Sequence, residues 1–401
     1  MQIPSHPHAH LTYCLNVHPG ETLDAQMAAI REHAVPIRAQ VAPGARFGLG
    51  LRLANPASQE LVSAARRKTL QALLDTHNLY TFTLNGFPFG AFHGAVVKAD
   101  VYRPDWRETV RHDYTCRLAR TLAALLPDGM TGSISTVPGS YKTWIRTPGD
   151  VRAMVDQLAD TAAVLDSIRR ETGREIHLGL EPEPDCFLET TAEVIAFFRD
   201  HLLPEGSQRL AATRGGTPAA AEEMIRRHLG VCFDTCHLAL QFENLGDSLR
   251  QLAAAGIRIS KIQISAALRA SCEPAAWEAL RPFCDSVYLH QVKARVDGRV
   301  LSRGDLVDAL AAAPARRGEE WRVHCHVPLY SMGDGPLVST ADLLDPDFFR
   351  AALALRVEHF EIETYTFNVL PEPLRRLGVD RSIAEEFRWV LSRFAGGGPV
   401  H

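Results

Sequence analysis

The chain has 401 residues, 46% of them hydrophobic and 22% charged, with a formal net charge of −4. Those fractions are ordinary for a globular protein, and the charge offers no basic surface for nucleic acid or an anionic membrane. No apolar run is long enough to span a bilayer, so neither nucleic-acid binding nor stable membrane insertion is expected. The stretch Met1-Gln-Ile-Pro-Ser-His-Pro-His8 lacks a basic region followed by an apolar one, and no secretory signal is expected. Eight scattered cysteines form no Cys-x-x-Cys pair and read as reduced, mostly buried thiols of a cytoplasmic protein.

In chain order, Leu11–Val17 reads as a strand and Leu23–Val35 as a helix. Arg46–Leu53 is a second strand, and Pro56 opens a helix to about Thr76. A third strand, Leu79–Leu84, runs into the glycine-rich aromatic loop Asn85-Gly-Phe-Pro-Phe-Gly-Ala-Phe-His-Gly94. The helix Trp106–Leu126 precedes a fourth strand, Gly132–Val137. The long helix Pro148–Thr172 precedes a fifth, Glu175–Leu180, which ends at Glu181-Pro-Glu183. Helix resumes over Ala192–His201, and residues 204–218, rich in Pro, Gly, Ser and Thr, read as a loop. Gly230–Asp234 is a sixth strand and Ile257–Ser265 a seventh. Val287–Ala294 and Arg299–Leu301 flank Asp297-Gly298, a hairpin signal within an insertion. Trp321–Val327 is extended and belongs to the elaborated seventh unit. His359–Glu363 is the last strand, and Ser382–Phe394 the last helix.

Strand and helix alternate almost throughout, which predicts a parallel sheet covered by helices. About eight repeats predict a (β/α)₈ TIM barrel with a hairpin insertion after the seventh strand. Such barrels carry their sites at the C-terminal strand ends. With no dividing linker, residues 1–395 are expected to form one domain and 396–401 a mobile tail.

Polar residues gather where the later strands end: Glu181, Glu183, Asp234, His237, Gln263, His324, His326, Glu361 and Glu363. Side chains alternate along a strand, so Glu181 and Glu183 share a face, as do His324 and His326, and Glu361 and Glu363. Carboxylates converging on one mouth repel unless a divalent cation makes them ligands. Mn²⁺, Mg²⁺, Co²⁺ and Zn²⁺ all suit an oxygen-rich set with imidazoles, as one ion or more. Glu183, Asp234 and Glu363 are the leading ligands. Glu181 and Glu361 are weighed as site residues or as hydrogen-bond partners beneath it. His93 follows the third strand beside Phe87, Phe89 and Phe92, which would wall an apolar part of a substrate or pack on the rim. His290 and Lys142 are expected to face solvent. A cation here polarises a carbonyl while flanking carboxylates move a proton, which is isomerase or epimerase chemistry. It also serves metal-assisted phosphoester hydrolysis, and a non-catalytic metabolite carrier is a third reading.

At these residues the chain resembles the xylose-isomerase-like barrel superfamily of sugar isomerases, ketose 3-epimerases and apurinic-site endonucleases. Glu183-Pro-Asp-Cys-Phe-Leu-Glu189-Thr190 looks like the epimerases' fifth-strand motif. The resemblance makes Glu183 a metal ligand and acid/base, and Glu189 a substrate contact. Asp234-Thr-Cys-His237 is similar to the sixth-strand motif, implying Asp234 as ligand and His237 as a contact to substrate or a second metal. Glu363 matches the last-strand glutamate, a ligand and acid/base, and Arg269 stands at the offset of a substrate-binding arginine. Gln263 departs from the family's histidine, so either Gln263 or His326 or His324 would complete the site. Over nearly its whole length the chain resembles the metabolite traffic protein EboE family. The resemblance rests on Tyr13-Cys-Leu-Asn16-Val-His-Pro-Gly20-Glu21, Asn85–Gly90, Thr136-Val-Pro-Gly-Ser140, Phe233–His237 and Glu361-Ile-Glu-Thr-Tyr365. It implies a small polyol, cyclitol or isoprenoid-type metabolite in a biosynthesis or export pathway, with prenyltransferase, cyclase and hydrolase partners.

Overall fold

A computed structural model describes residues 1–92 and 98–396, and His93 and residues 397–401 lie outside the described residues. Eight strands run parallel in one sheet: β1 (His6–Tyr13), β2 (Phe47–Arg52), β3 (Leu79–Asn85), β4 (Gly132–Thr136), β5 (Ile176–Leu180), β6 (Leu229–Asp234), β7 (Arg258–Ile264) and, near the end of the chain, His359–Ile362. The sheet runs from β1 through His359–Ile362 and β7 back down to β2. A parallel bridge between Cys14 and Gly50 joins its two ends, so the sheet closes into a (β/α)₈ barrel. Apart from the first half of β1 and the first two residues of β7, the barrel strands are buried on both faces, which is why most of these stretches read as apolar runs rather than clean alternations.

The helices cover the outside. α1 (Pro148–Thr172) opens with a capping box between Thr147 and Asp150 and stops at Gly173, whose φ of +71° suits a residue without Cβ. The stretch expected as a loop over 204–218 is instead two packed helices, α2 (Leu203–Arg214) and α3 (Pro218–His228). Pro204 and Pro218 lie in first turns, where a missing N–H is tolerated, and Thr217 caps the second helix through Ala220 N. Only the Gly215-Gly216 break is irregular. Among the described residues no helix is long and apolar enough to cross a membrane.

Between the seventh and eighth barrel strands the chain builds a second sheet, larger than the expected hairpin. It comprises β8 (Leu268–Ser271), β9 (Gln291–Val296), β10 (Arg299–Asp305), β11 (Glu320–Val323), β12 (Gly333–Asp334) and β13 (Leu337–Ser339). All its pairings are antiparallel, in the order β10-β9-β11-β8-β13-β12. Asp297 and Gly298, both with positive φ, turn β9 into β10. The eighth barrel strand is therefore β14 (His359–Ile362). This second sheet carries β11 to the barrel mouth, where the chain leaves it as His324-Cys325-His326.

Candidate active site

Three acids close the C-terminal ends of β5, β6 and β14. Glu181 directly follows β5, Asp234 ends β6, and Glu363 directly follows β14. All three are buried, and one carboxylate oxygen of each lies within 4.8 Å of the others. The sequence pointed to Glu183 in this trio, and the structure puts Glu181 there instead. Glu181 N still donates to Thr136 O at 3.0 Å, which keeps the residue on the strand ladder and its side chain inward. Pro182 then ends the strand, and Glu183 is carried outward in a turn closed by Glu183 N to Leu188 O. Glu183 thereby joins a different group, with His237 and His324.

Burial pushes the Glu181 and Glu363 carboxyls well above the usual range, and neighbouring carboxylates push them further. Burial also raises Glu183, to about 7. Asp234 moves the other way: burial opposes ionisation, but His237, His326 and the hydrogen bonds from His237 N and Ser265 Oγ hold it low. Two oxygens in this cluster, Glu181 Oε2 and Asp234 Oδ2, are buried with no hydrogen-bond partner. Such groups are costly to leave unmatched. Glu363 Oε1 is held by two side-chain amides, Asn16 Nδ2 at 2.7 Å and Asn85 Nδ2 at 3.1 Å.

Three imidazoles stand beside the acids. His237 Nδ1 meets the carbonyl of Pro182 at 3.0 Å, and His326 Nδ1 meets that of Glu363 at 2.7 Å. A carbonyl only accepts, so both rings carry a proton on Nδ1 and turn Nε2 inward, where it is a bare acceptor in the neutral imidazole. His324 Nε2 lies 3.1 Å from His237 Nε2 and 3.2 Å from His326 Nε2. Ligand nitrogens around a tetrahedral zinc-type ion sit about 3.3 Å apart. His324 is pushed well below its ordinary pKa, by burial first and then by the neighbouring histidines, so a proton is a poor way to relieve the contact. Asp234 bridges the two halves, grouping with Glu181 and Glu363 on one side and with His237 and His326 on the other. Cys236 also groups with His324 and His326. Orphaned carboxylate oxygens and converging lone pairs together fit a divalent cation.

Below the acids the barrel interior holds a buried ion pair, Lys261 Nζ to Glu361 Oε2 at 2.5 Å. Gly50 makes room for it: a Cβ there would meet Glu361 Oε1 at 1.9 Å. Glu361 is thus a partner beneath the site, and the Lys261 charge acts to lower the Glu181 and Glu363 carboxyls against the effect of burial.

Above the acids lies a cavity of about 50 Å³. Its floor carries Glu181, Glu183, His237, His324 and Glu363, and its walls include Phe87, Val101, Tyr102 and Leu289. Phe92, Tyr288 and Tyr365 cover it, their ring centroids 5.2–5.3 Å apart. That volume holds a few waters, less than a sugar-sized ligand fills.

Other sequence candidates fall elsewhere. Gln263 turns its amide oxygen to Cys232 Sγ at 2.8 Å, leaving Nε2 without a partner, so the imidazoles stand where the fourth ligand was sought. Arg269 sits on β8 and pairs with Asp342, away from the cavity. Glu189 does not line the cavity. It accepts from Asp185 N and Gln241 Nε2, pairs with Lys142 and Lys293, and is held down to about 2 despite burial, chiefly by Lys293. Lys142 is correspondingly half-buried in that network rather than solvated. His290, expected in solvent, is buried, with Nδ1 on the carbonyl of His324 at 2.7 Å and Nε2 on Asp285. It braces the histidine segment from behind. Asn16, Asn85, Tyr102, Lys261 and Gln291 were not singled out as site residues. Asn16 and Asn85 do occur in the motifs quoted for the EboE resemblance, whereas the others carry no local signal.

No family model matches the sequence, and no curated protein matches it. Solved structures with a similar arrangement are xylose-isomerase-like barrels at low identity. They include the IolI protein with a bound zinc atom, 11% identical over 98% of this chain and 100% of that one, with a TM-score of 0.49. A D-tagatose 3-epimerase-like protein is 13% identical over 96% and 99%, with a TM-score of 0.47. A xylose isomerase domain protein from Alicyclobacillus acidocaldarius subsp. acidocaldarius is 14% identical over 96% and 98%, with a TM-score of 0.48. The barrel itself is defined by the chain's own strand order.

Proposed function

We propose that the chain is a metal-dependent isomerase or epimerase acting on a small hydroxy-carbonyl compound of the polyol, cyclitol or sugar type. The observation that carries this reading is the pair of orphaned oxygens, Glu181 Oε2 and Asp234 Oδ2, beside converging imidazole Nε2 atoms at the floor of a cavity. Glu181, Asp234 and Glu363 would hold the ion, with His237, His324 and His326 completing it or holding another. Bound there, a divalent ion would polarise a substrate carbonyl. Glu183 and Glu363 reach the cavity from strands separated by two others, so each can hold or accept a proton at the reacting carbon. Asn16 and Asn85 fix the oxygen that Glu363 presents. The aromatic rings beside the cavity would limit water there and so protect a carbanion-like intermediate from solvent.

The test is deuterium uptake from D₂O into a panel of ketoses and inositols, after loading with Mn²⁺, Co²⁺ or Zn²⁺. Uptake by the wild type, abolished in Glu363→Gln, is expected. Silence across the panel with retained binding would favour a metabolite carrier. The additional imidazole group gives a second reading, phosphoester hydrolysis, some support, since that chemistry uses more than one ion; release of inorganic phosphate from esters identifies it. The pathway context, export or biosynthesis alongside a prenyltransferase and cyclase, is proposed on the motif resemblance alone.

A further inference from the structure

We infer that Gln291 is a positioning residue that decides which nitrogen His324 turns to the cavity, and that Tyr102 links Gln291 to Glu183. The consequence for metal binding rests on the proposed function; the geometry does not. Gln291 opens β9 of the inserted sheet and is fully buried. Its Nε2 donates to Pro184 O at 3.1 Å and to Tyr102 Oη at 2.9 Å. Because the Pro184 carbonyl only accepts, the orientation of the amide is settled, and Oε1 is the atom facing His324 Nδ1 at 2.7 Å. That acceptor keeps the imidazole proton on Nδ1 and leaves Nε2 bare, in line with His237 and His326.

The chain then continues in one direction. The Tyr102 hydroxyl receives the Gln291 N–H and passes its own proton to Glu183 Oε1 at 2.8 Å. Tyr102 is fully buried and stacked on Tyr141, with centroids 5.2 Å apart and planes 16° from parallel, which holds the hydroxyl in place. His237 and His326 take their tautomer from backbone carbonyls of the barrel loops. His324 alone depends on a side chain, and the inserted sheet provides it. His324 N also donates to Gln291 O at 2.9 Å, so the backbone fixes the distance between the two side chains. The insertion is thereby a working part of the site.

Nitrogen-15 NMR of the imidazoles in metal-free protein, together with Zn²⁺ titration, tests this. In the wild type His324 should show a protonated Nδ1 and a bare Nε2. Gln291→Met should mix the tautomers and weaken Zn²⁺ binding roughly 10- to 100-fold. Gln291→Glu, which keeps an acceptor there, should restore the His324 signature. Tyr102→Phe should leave that signature intact while freeing Glu183. A wild-type proton on Nε2, or an unchanged tautomer and affinity in Gln291→Met, would overturn the inference. Should the wild type bind no Zn²⁺, the metal reading fails, and the tautomer measurement still decides the role of Gln291.

Discussion

His237 and His324 face each other through their Nε2 atoms at 3.1 Å, with both Nδ1 protons already committed to oxygen acceptors. Two bare nitrogens at that distance do not hydrogen-bond. As neutral rings their lone pairs repel unless something positive shares them; Tyr365 Oη stands 3.5 Å from His324 Nε2, and burial makes a proton costly for His324. Together with the unmatched oxygens of Glu181 and Asp234, the pair makes the site electron-rich.

Metal content should follow the trio that the structure assembles. Asp234→Asn preserves the size of the side chain while discharging the group shared by both halves of the site. Elemental analysis of purified protein should show metal fall to less than half of wild type. Glu183→Gln, outside the acid trio, should retain most of the metal and lose deuterium uptake. Equal retention in both variants would refute the assignment.

Where the metal binds, it stabilises the fold by mass action. At a free concentration 100 times its dissociation constant, an ion adds roughly 2.7 kcal/mol. Thermal melting should therefore rise on metal loading of wild type and drop back with chelator, with Asp234→Asn showing neither change.

The Lys261–Glu361 pair is enclosed in the barrel. Lys261→Met strands a carboxylate and should cost roughly 3–5 kcal/mol in urea unfolding. Removing both charges, as Lys261→Met with Glu361→Leu, should recover much of that loss. Additive losses in the double variant would show that the two charges do not interact.

Gly50→Ala places a methyl where Glu361 Oε1 lies, 1.9 Å from the ideal Cβ. Overpacking beside a charge pair that has nowhere to move should cost about 3 kcal/mol or more. A wild-type urea midpoint for this variant would mean that the pair sits elsewhere.

Glu386, on the last helix (Val379–Phe394), is fully buried and accepts from Leu329 N and Thr364 Oγ1. Burial raises its carboxyl to about 7 despite those bonds. An unfolded glutamate ionises near about 4.3. Between those values the folded chain binds the extra proton, so this group's contribution is full at low pH and is lost as pH rises toward 7. Glu386→Gln should flatten that part of the stability profile, by roughly 3 kcal/mol at pH 8 relative to pH 4. Parallel profiles for the two proteins would contradict it.

The barrel was legible because most of its strands are enclosed on both faces and so stand out as apolar runs between amphipathic stretches. Asp234 and Glu363 could be placed for the same reason: each sits where such a run stops. Glu181 and Glu183 could not be told apart, since they share parity and Pro182 hides where the ladder ends. Lys261 shares its face of the strand with Gln263, but a lysine carries no site signal without the buried carboxylate of Glu361 that it meets. Tyr102 and Gln291 were invisible, because their meaning lies in contacts to residues 81 and 33 positions away, Glu183 and His324. The helices over 203–228 were masked by prolines that mark helix starts as readily as loops.

Among the described residues the barrel is closed by one β-bridge, Cys14 to Gly50, with the bond from Thr12 Oγ1 to Gly48 O beside it, whereas every other neighbouring pair of barrel strands shares at least three register positions. That seam is the weakest line around the circumference, and amide exchange should begin there before reaching the rest of the sheet. It runs past the loop bearing Asn16, so breathing along it would loosen the grip on Glu363 before any other part of the pocket gives way.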